Sequence, residues 1–156
     1  MPLVAASPRP GVVWISWSFA RSPDAVWSAL TDPAAIARWL GDPVTCDIRP
    51  GGELVVDHGD GVRSRSDMSA AEPPHHLAMT WAFPDEPTSE VTFTIRAHDD
   101  GAVLELAHAV IADLADSYRV GWLTHLTYLE AVVDGDPLPA SQFWKLHATL
   151  LRGFGD

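Results

Sequence analysis

The stretch "VWSALTDPAAIARWLGD", residues 26–42, decides how the rest of the chain is read. It divides into two short helical pieces, broken at Thr31-Asp32-Pro33 and stopped by Gly41. Asp32 followed by Pro33 is a helix-start signal: the carboxylate accepts from free amides of the first turn, and proline has no amide to waste there. Ser22-Pro23 gives the same signal one helix earlier, so the first piece runs to about Leu30. Each piece carries a tryptophan, Trp27 in the first and Trp39 in the second. The spacing places Trp27 in the core and Trp39 at the mouth of any pocket beneath the helices.

Upstream, "VVWISWSF" (12–19) alternates, with Val13, Ile15, Trp17 and Phe19 on one face, as a half-buried strand does. Downstream, six more alternating segments are separated by turn residues: 44–48, 53–58, 62–70, 77–83, 90–98 and 102–110. Their inward sets include Val44, Cys46 and Ile48; Leu54, Val56 and His58; Leu77, Met79, Trp81 and Phe83; and Leu104, Leu106, His108 and Val110. The 62–70 segment has no clear inward face, because Arg63, Arg65 and Asp67 oppose Val62, Ser64, Ser66 and Met68. The period then changes to 3.6. Trp122, Leu126, Leu129 and Val133 form one stripe of a helix spanning about 116–133. A shorter helix over 141–151 closes the chain.

A seven-stranded antiparallel sheet with one apolar face needs a cover, and only the long helix is large enough to supply it. The expected fold is α+β: a helix-grip arrangement in which a curved sheet wraps the long C-terminal helix, with two short helices after the first strand. Its domain covers 12–135, preceded by an extension (1–11) and followed by another (136–156).

Specific words within this order resemble the SRPBCC (START/Bet v 1-like) superfamily. The nearest pattern is its branch homologous to the C-terminal domain of the activator of Hsp90 ATPase. Phe19 followed by "VWSALTDPAAIARWLGD", the "RPGGELVVD" hairpin, "EPPHHLAMTW", "VLELAH" and "GW" at 121–122 carry the resemblance. Arg21-Ser22 stands where the family usually has Ala-Pro. The resemblance implies a hydrophobic cavity that holds a lipid, polyketide or aromatic molecule. In a minority of relatives it implies a cyclase or dehydratase, and the branch name implies a co-chaperone-like module.

Composition excludes other classes. The 156 residues carry 21 acidic against 10 basic side chains, a formal charge of −11, with no basic stripe for nucleic acid. A single cysteine, Cys46, rules out an internal disulfide. There is no secretory leader pattern and no apolar run long enough for a membrane span, so the expected location is the cytoplasm. Seven histidines show no metal-ligand spacing, and no metal or cofactor is expected.

The candidate ligand-binding residues are Trp17, Trp39, His58, Trp81, His108, Trp122 and Leu126. His108 has two readings. It is either a polar anchor in the cavity, serving as acid and base if the protein is an enzyme, or a core histidine bonded to its neighbours. The leading expectation is non-catalytic binding of a small hydrophobic molecule. The tail helix, with Trp144 and Leu151 beyond its main stripe, is also compatible with a homodimer.

Overall fold

The computed structural model describes residues 3–9, 11–110 and 112–154. The expected seven strands and four helices are present: β2 (Val12–Phe19), α1 (Pro23–Thr31), α2 (Pro33–Trp39), β3 (Asp42–Cys46), β4 (Glu53–Asp57), β5 (Arg63–Glu72), β6 (His76–Trp81), β7 (Ser89–His98), β8 (Gly101–Ala109), α3 (Ala112–Val133) and α4 (Phe143–Phe154). One more strand, β1 (Leu3–Arg9), lies within the segment expected to be an extension and pairs antiparallel with β2. Residues 1, 2 and 10 of that extension, and 155 and 156 of the tail, lie outside the described residues.

The eight strands form one antiparallel sheet in the order β1-β2-β8-β7-β6-β5-β4-β3. The neighbouring strands β2 and β8 are in register throughout, matching Ile15 with Leu106 and Trp17 with Leu104. The inner face of that pair is fully buried, so a slip of one residue would turn every apolar side chain to water.

The opening stretch folds as its capping residues dictate. Ser22 Oγ accepts from the Ala25 amide at 3.3 Å, and Asp32 Oδ2 accepts from the Ala35 amide at 3.2 Å. Asp32 serves twice, ending α1 and starting α2. Gly41 closes α2 beside β4, where an added Cβ would lie 2.8 Å from the Asp57 carbonyl oxygen. Only a glycine lets the two backbones approach that closely.

α3 begins four residues before the expected start and is 22 residues long, about 33 Å. It packs against β2, α1, α2 and α4. Of the predicted stripe, Trp122, Leu126 and Leu129 are buried and Val133 is half-buried. Two sequence expectations change here, and the face of the 62–70 strand, left open by the sequence, is resolved. β3 is an edge strand with a register shift between Pro43 and Thr45, which turns Val44 outward while Cys46 and Ile48 stay half-buried. Trp27 is half-buried against the core rather than enclosed by it. On β5, Ser64, Ser66 and Met68 face inward and Arg63, Arg65 and Asp67 outward. The two arginines reach Asp57 at 3.7 Å and Glu53 at 3.9 Å, as solvated pairs contributing little to stability.

Candidate functional site

The helix grip leaves a cavity of about 410 Å³ between the end of α2, the C-terminal end of β6, α3 and the tail. Its wall is aromatic. Trp39 enters from α2, Trp81 and Phe83 from β6 and the turn after it, Trp122 from α3, and Phe143 and Trp144 from α4. Trp81 and Trp122 meet edge to face with centroids 5.3 Å apart, an arrangement favoured by the ring quadrupoles. The Trp39 indole donates to the Ala29 carbonyl at 2.9 Å, which fixes the ring across the junction of α1 and α2.

α3 contributes through a second stripe beside its core-facing one. Tyr118, Gly121, His125 and Tyr128 recur every three or four residues and all line the cavity. Gly121 is the gap in this stripe: nothing lies within 4 Å of where its Cβ would be. The tail closes the site because Tyr128 donates to the Pro139 carbonyl at 2.7 Å, after which a 3-10 turn (Ala140–Gln142) feeds α4. Phe143 then packs on His125 and Tyr128, with centroids 4.9 and 5.4 Å away.

The sequence-expected residues divide into two groups. Trp39, His58, Trp81 and Trp122 line the cavity together. Trp17 and Leu126 lie in the packed core, Trp17 on β2 and Leu126 under α3, and neither reaches the wall. His108 is also off the wall and fully buried. Trp122 Nε1 donates to its Nδ1 at 2.9 Å, so the ring hydrogen sits on Nε2 and points to Ser89 Oγ at 2.7 Å. Ser89 in turn lies 3.4 Å from the Trp81 carbonyl. Both nitrogens are satisfied, and burial pushes the ring's pKa down to about 4. In this geometry the lone pair and the proton of His108 are both engaged inside the core.

Three residues not singled out from the sequence, His125, Tyr118 and Glu86, take polar positions beside the expected His58. His125 Nδ1 lies 2.8 Å from the Trp39 carbonyl. Burial lowers its pKa to about 4, opposed by that carbonyl and assisted by His58 and His147 nearby. Tyr118 donates to Glu86 and accepts from Trp81 Nε1 at 3.0 Å. Burial raises the phenol's pKa, the bond to Glu86 adds to this, and the Trp81 N–H opposes it. His58 starts the turn after β4 and bonds to Ser64 Oγ at 2.8 Å. Its pKa is lowered by burial, against the pull of Asp57 and the Leu40 backbone.

Among the described residues, no cluster of three histidine, cysteine or acidic side chains is placed to hold a metal ion. Among the described residues, no helix is long and apolar enough to cross a membrane. Cys46 is not an activated thiol. Burial first, then Asp32 and Asp47, raises its pKa, and its Sγ lies 3.7 Å from the Thr31 carbonyl.

The comparisons with known proteins agree with this architecture. The chain resembles the crystal structure of CalU16 from Micromonospora echinospora, at 28% identity and a TM-score of 0.75, over 92% of this chain and 85% of that one. DynU16, of the dynemicin biosynthetic locus, matches at 25% identity and a TM-score of 0.75, over 83% of this chain but 49% of its own. The Aha1 dimer from Colwellia psychrerythraea shares the fold at 15% identity and a TM-score of 0.69, over 78% of this chain and 95% of that one. No curated protein sequence matches. The family model described as Activator of Hsp90 ATPase homolog 1-like protein matches residues 20–134, and the chain belongs to that family.

Proposed function

We propose that this protein binds a small, largely apolar aromatic molecule in the α3 cavity and holds it without chemical change. The observation that carries the reading is the cavity itself: about 410 Å³, walled by four tryptophans and two phenylalanines, with polar groups of three histidines, Tyr118 and Glu86 set among them. Such a composition is that of a ligand site, where apolar walls supply affinity and a few polar atoms set orientation. The likeness to DynU16, a protein of the dynemicin biosynthetic locus, supports a small biosynthetic molecule as the ligand. A non-catalytic role is supported by the histidines. His108 is closed off in the core, and His125, with its pKa near 4, is a weak base at neutral pH.

Binding is tested by titrating naphthalene-type probes while following tryptophan emission and thermal stability. The reading predicts a saturable change in emission together with a rise in Tm. It also predicts that Gly121→Leu, which fills the open gap in the wall, weakens binding about tenfold or more while the protein stays folded. Binding unaffected by that substitution would place the ligand elsewhere.

We extend the reading to self-association in the cytoplasm. Trp144 and Leu151 are 70% and 47% exposed and lie seven residues apart on α4. Sedimentation should give a dimer for the wild type and a monomer for Trp144→Asp; a wild-type monomer removes this part.

A further inference from the structure

We propose that the cavity selects neutral aromatic molecules bearing hydroxyl groups and rejects carboxylates. This deepens the binding reading above and rests on it. The argument comes from which hydrogens the wall has already committed.

The carbonyl of Trp39 can only accept, so the His125 Nδ1 that lies 2.8 Å from it carries the ring hydrogen. Nε2 is then a bare lone pair, and no described residue donates to it. Tyr118 gives its only hydrogen to Glu86 and receives one from Trp81. Glu86 is a carboxylate with further lone pairs to offer. The inner wall therefore presents acceptors at two places, His125 and the Tyr118–Glu86 pair. They are seven residues apart on α3, roughly 10 Å along its axis.

Between them lies the Gly121 gap, open for at least 4 Å, with the Trp81 and Trp122 rings beside it. A flat ring system seated over Gly121 reaches both ends only if each end brings a hydrogen. A hydroxyl does so. A carboxylate would set its lone pairs against those of Glu86 and His125, at the cost of its own desolvation. A diammonium would find a counter-charge at Glu86 and none at His125. Among the described residues lining the cavity, the one guanidinium is Arg38, which is exposed at the rim of α2. His58 is occupied by Ser64, and the ring of His147 offers both a donor and an acceptor, so it favours neither sign.

The test compares three probes of one shape on the wild-type protein by calorimetry: 2,6-dihydroxynaphthalene, 2,6-dimethoxynaphthalene and naphthalene-2,6-dicarboxylate. The diol should bind about tenfold or more tightly than the ether, since the ether leaves both acceptors without a hydrogen. The dicarboxylate should bind most weakly. Glu86→Gln keeps an oxygen for Tyr118 and adds an N–H, so it should narrow the gap between diol and dicarboxylate. An ether as tight as the diol overturns this inference and leaves cavity binding standing. A dicarboxylate that binds best overturns it in favour of the rim arginine. If none of the three binds, the binding reading falls and this inference falls with it.

Discussion

Acidification should destabilise this protein well before its carboxylates titrate, because His108, buried, and His125, half-buried, are held in neutral form. The perturbation is a change from pH 7 to pH 5. His108 and His125 each have a folded pKa near 4, against about 6.5 in an unfolded chain. Between those values the unfolded state binds protons that the folded state refuses, so stability falls as pH falls. Above about 6.5 the contribution is fully present. The gap limits each histidine to roughly 3 kcal/mol, of which about 2 kcal/mol is expressed by pH 5. Together they cost about 4 kcal/mol, a large part of the 5–15 kcal/mol that holds a typical domain. His58, whose pKa is also lowered, adds in the same direction; Glu130, whose pKa burial raises, works against it. Urea titrations at the two pH values measure the change. His125→Gln retains an N–H for the Trp39 carbonyl and has no titrating ring, so it should remove about half of the pH dependence. Equal stability at pH 7 and pH 5, to within about 0.5 kcal/mol, would refute the claim that both rings are held neutral in the fold.

Two stability predictions follow from single positions. His108→Leu leaves the buried Trp122 N–H and the Ser89 hydroxyl without their partner, and should cost about 2–4 kcal/mol by urea denaturation; a loss below about 0.5 kcal/mol would mean those bonds contribute nothing. Gly121→Ala places a methyl in open space inside a helix, so it should raise stability by about 0.5–1 kcal/mol in a thermal melt. A destabilised Gly121→Ala would mean that the gap is not open.

The fold was legible because its signals are local and repeated. Alternation fixed β2 and β8, and two Ser/Asp-Pro starts placed α1 and α2. The inner face of β5 was not legible, since it is built from Ser64 and Ser66, small polar residues that periodicity cannot tell from a solvated face. Their inward position becomes clear only with His58 bonded to Ser64. Reading α3 as one stripe found Trp122 and Leu126 but passed over His125, because the helix is covered on two sides. The strongest apolar period marks only the side against the sheet. A second, mostly half-buried stripe of mixed character, Tyr118, Gly121, His125 and Tyr128, has no hydrophobic period to announce it. The wall supplied by Phe143 depends on a docked tail, fixed by one bond from Tyr128 to Pro139, and pairwise contacts of that kind leave no trace in a single sequence. The inward histidine His108 was placed correctly on its face, yet alternation says nothing about whether an inward residue meets a cavity or a packed neighbour.

The most direct test uses the seven tryptophans as internal reporters. In an assigned 1H–15N spectrum, each indole N–H gives its own signal. Titration with 2,6-dihydroxynaphthalene should shift the indole signals of Trp39, Trp81, Trp122 and Trp144, which line the cavity, and leave those of Trp14, Trp17 and Trp27 in place. Saturable shifts confined to the first four are the predicted result. An unchanged spectrum, or shifts centred on Trp14, Trp17 or Trp27, would contradict a ligand site beneath α3.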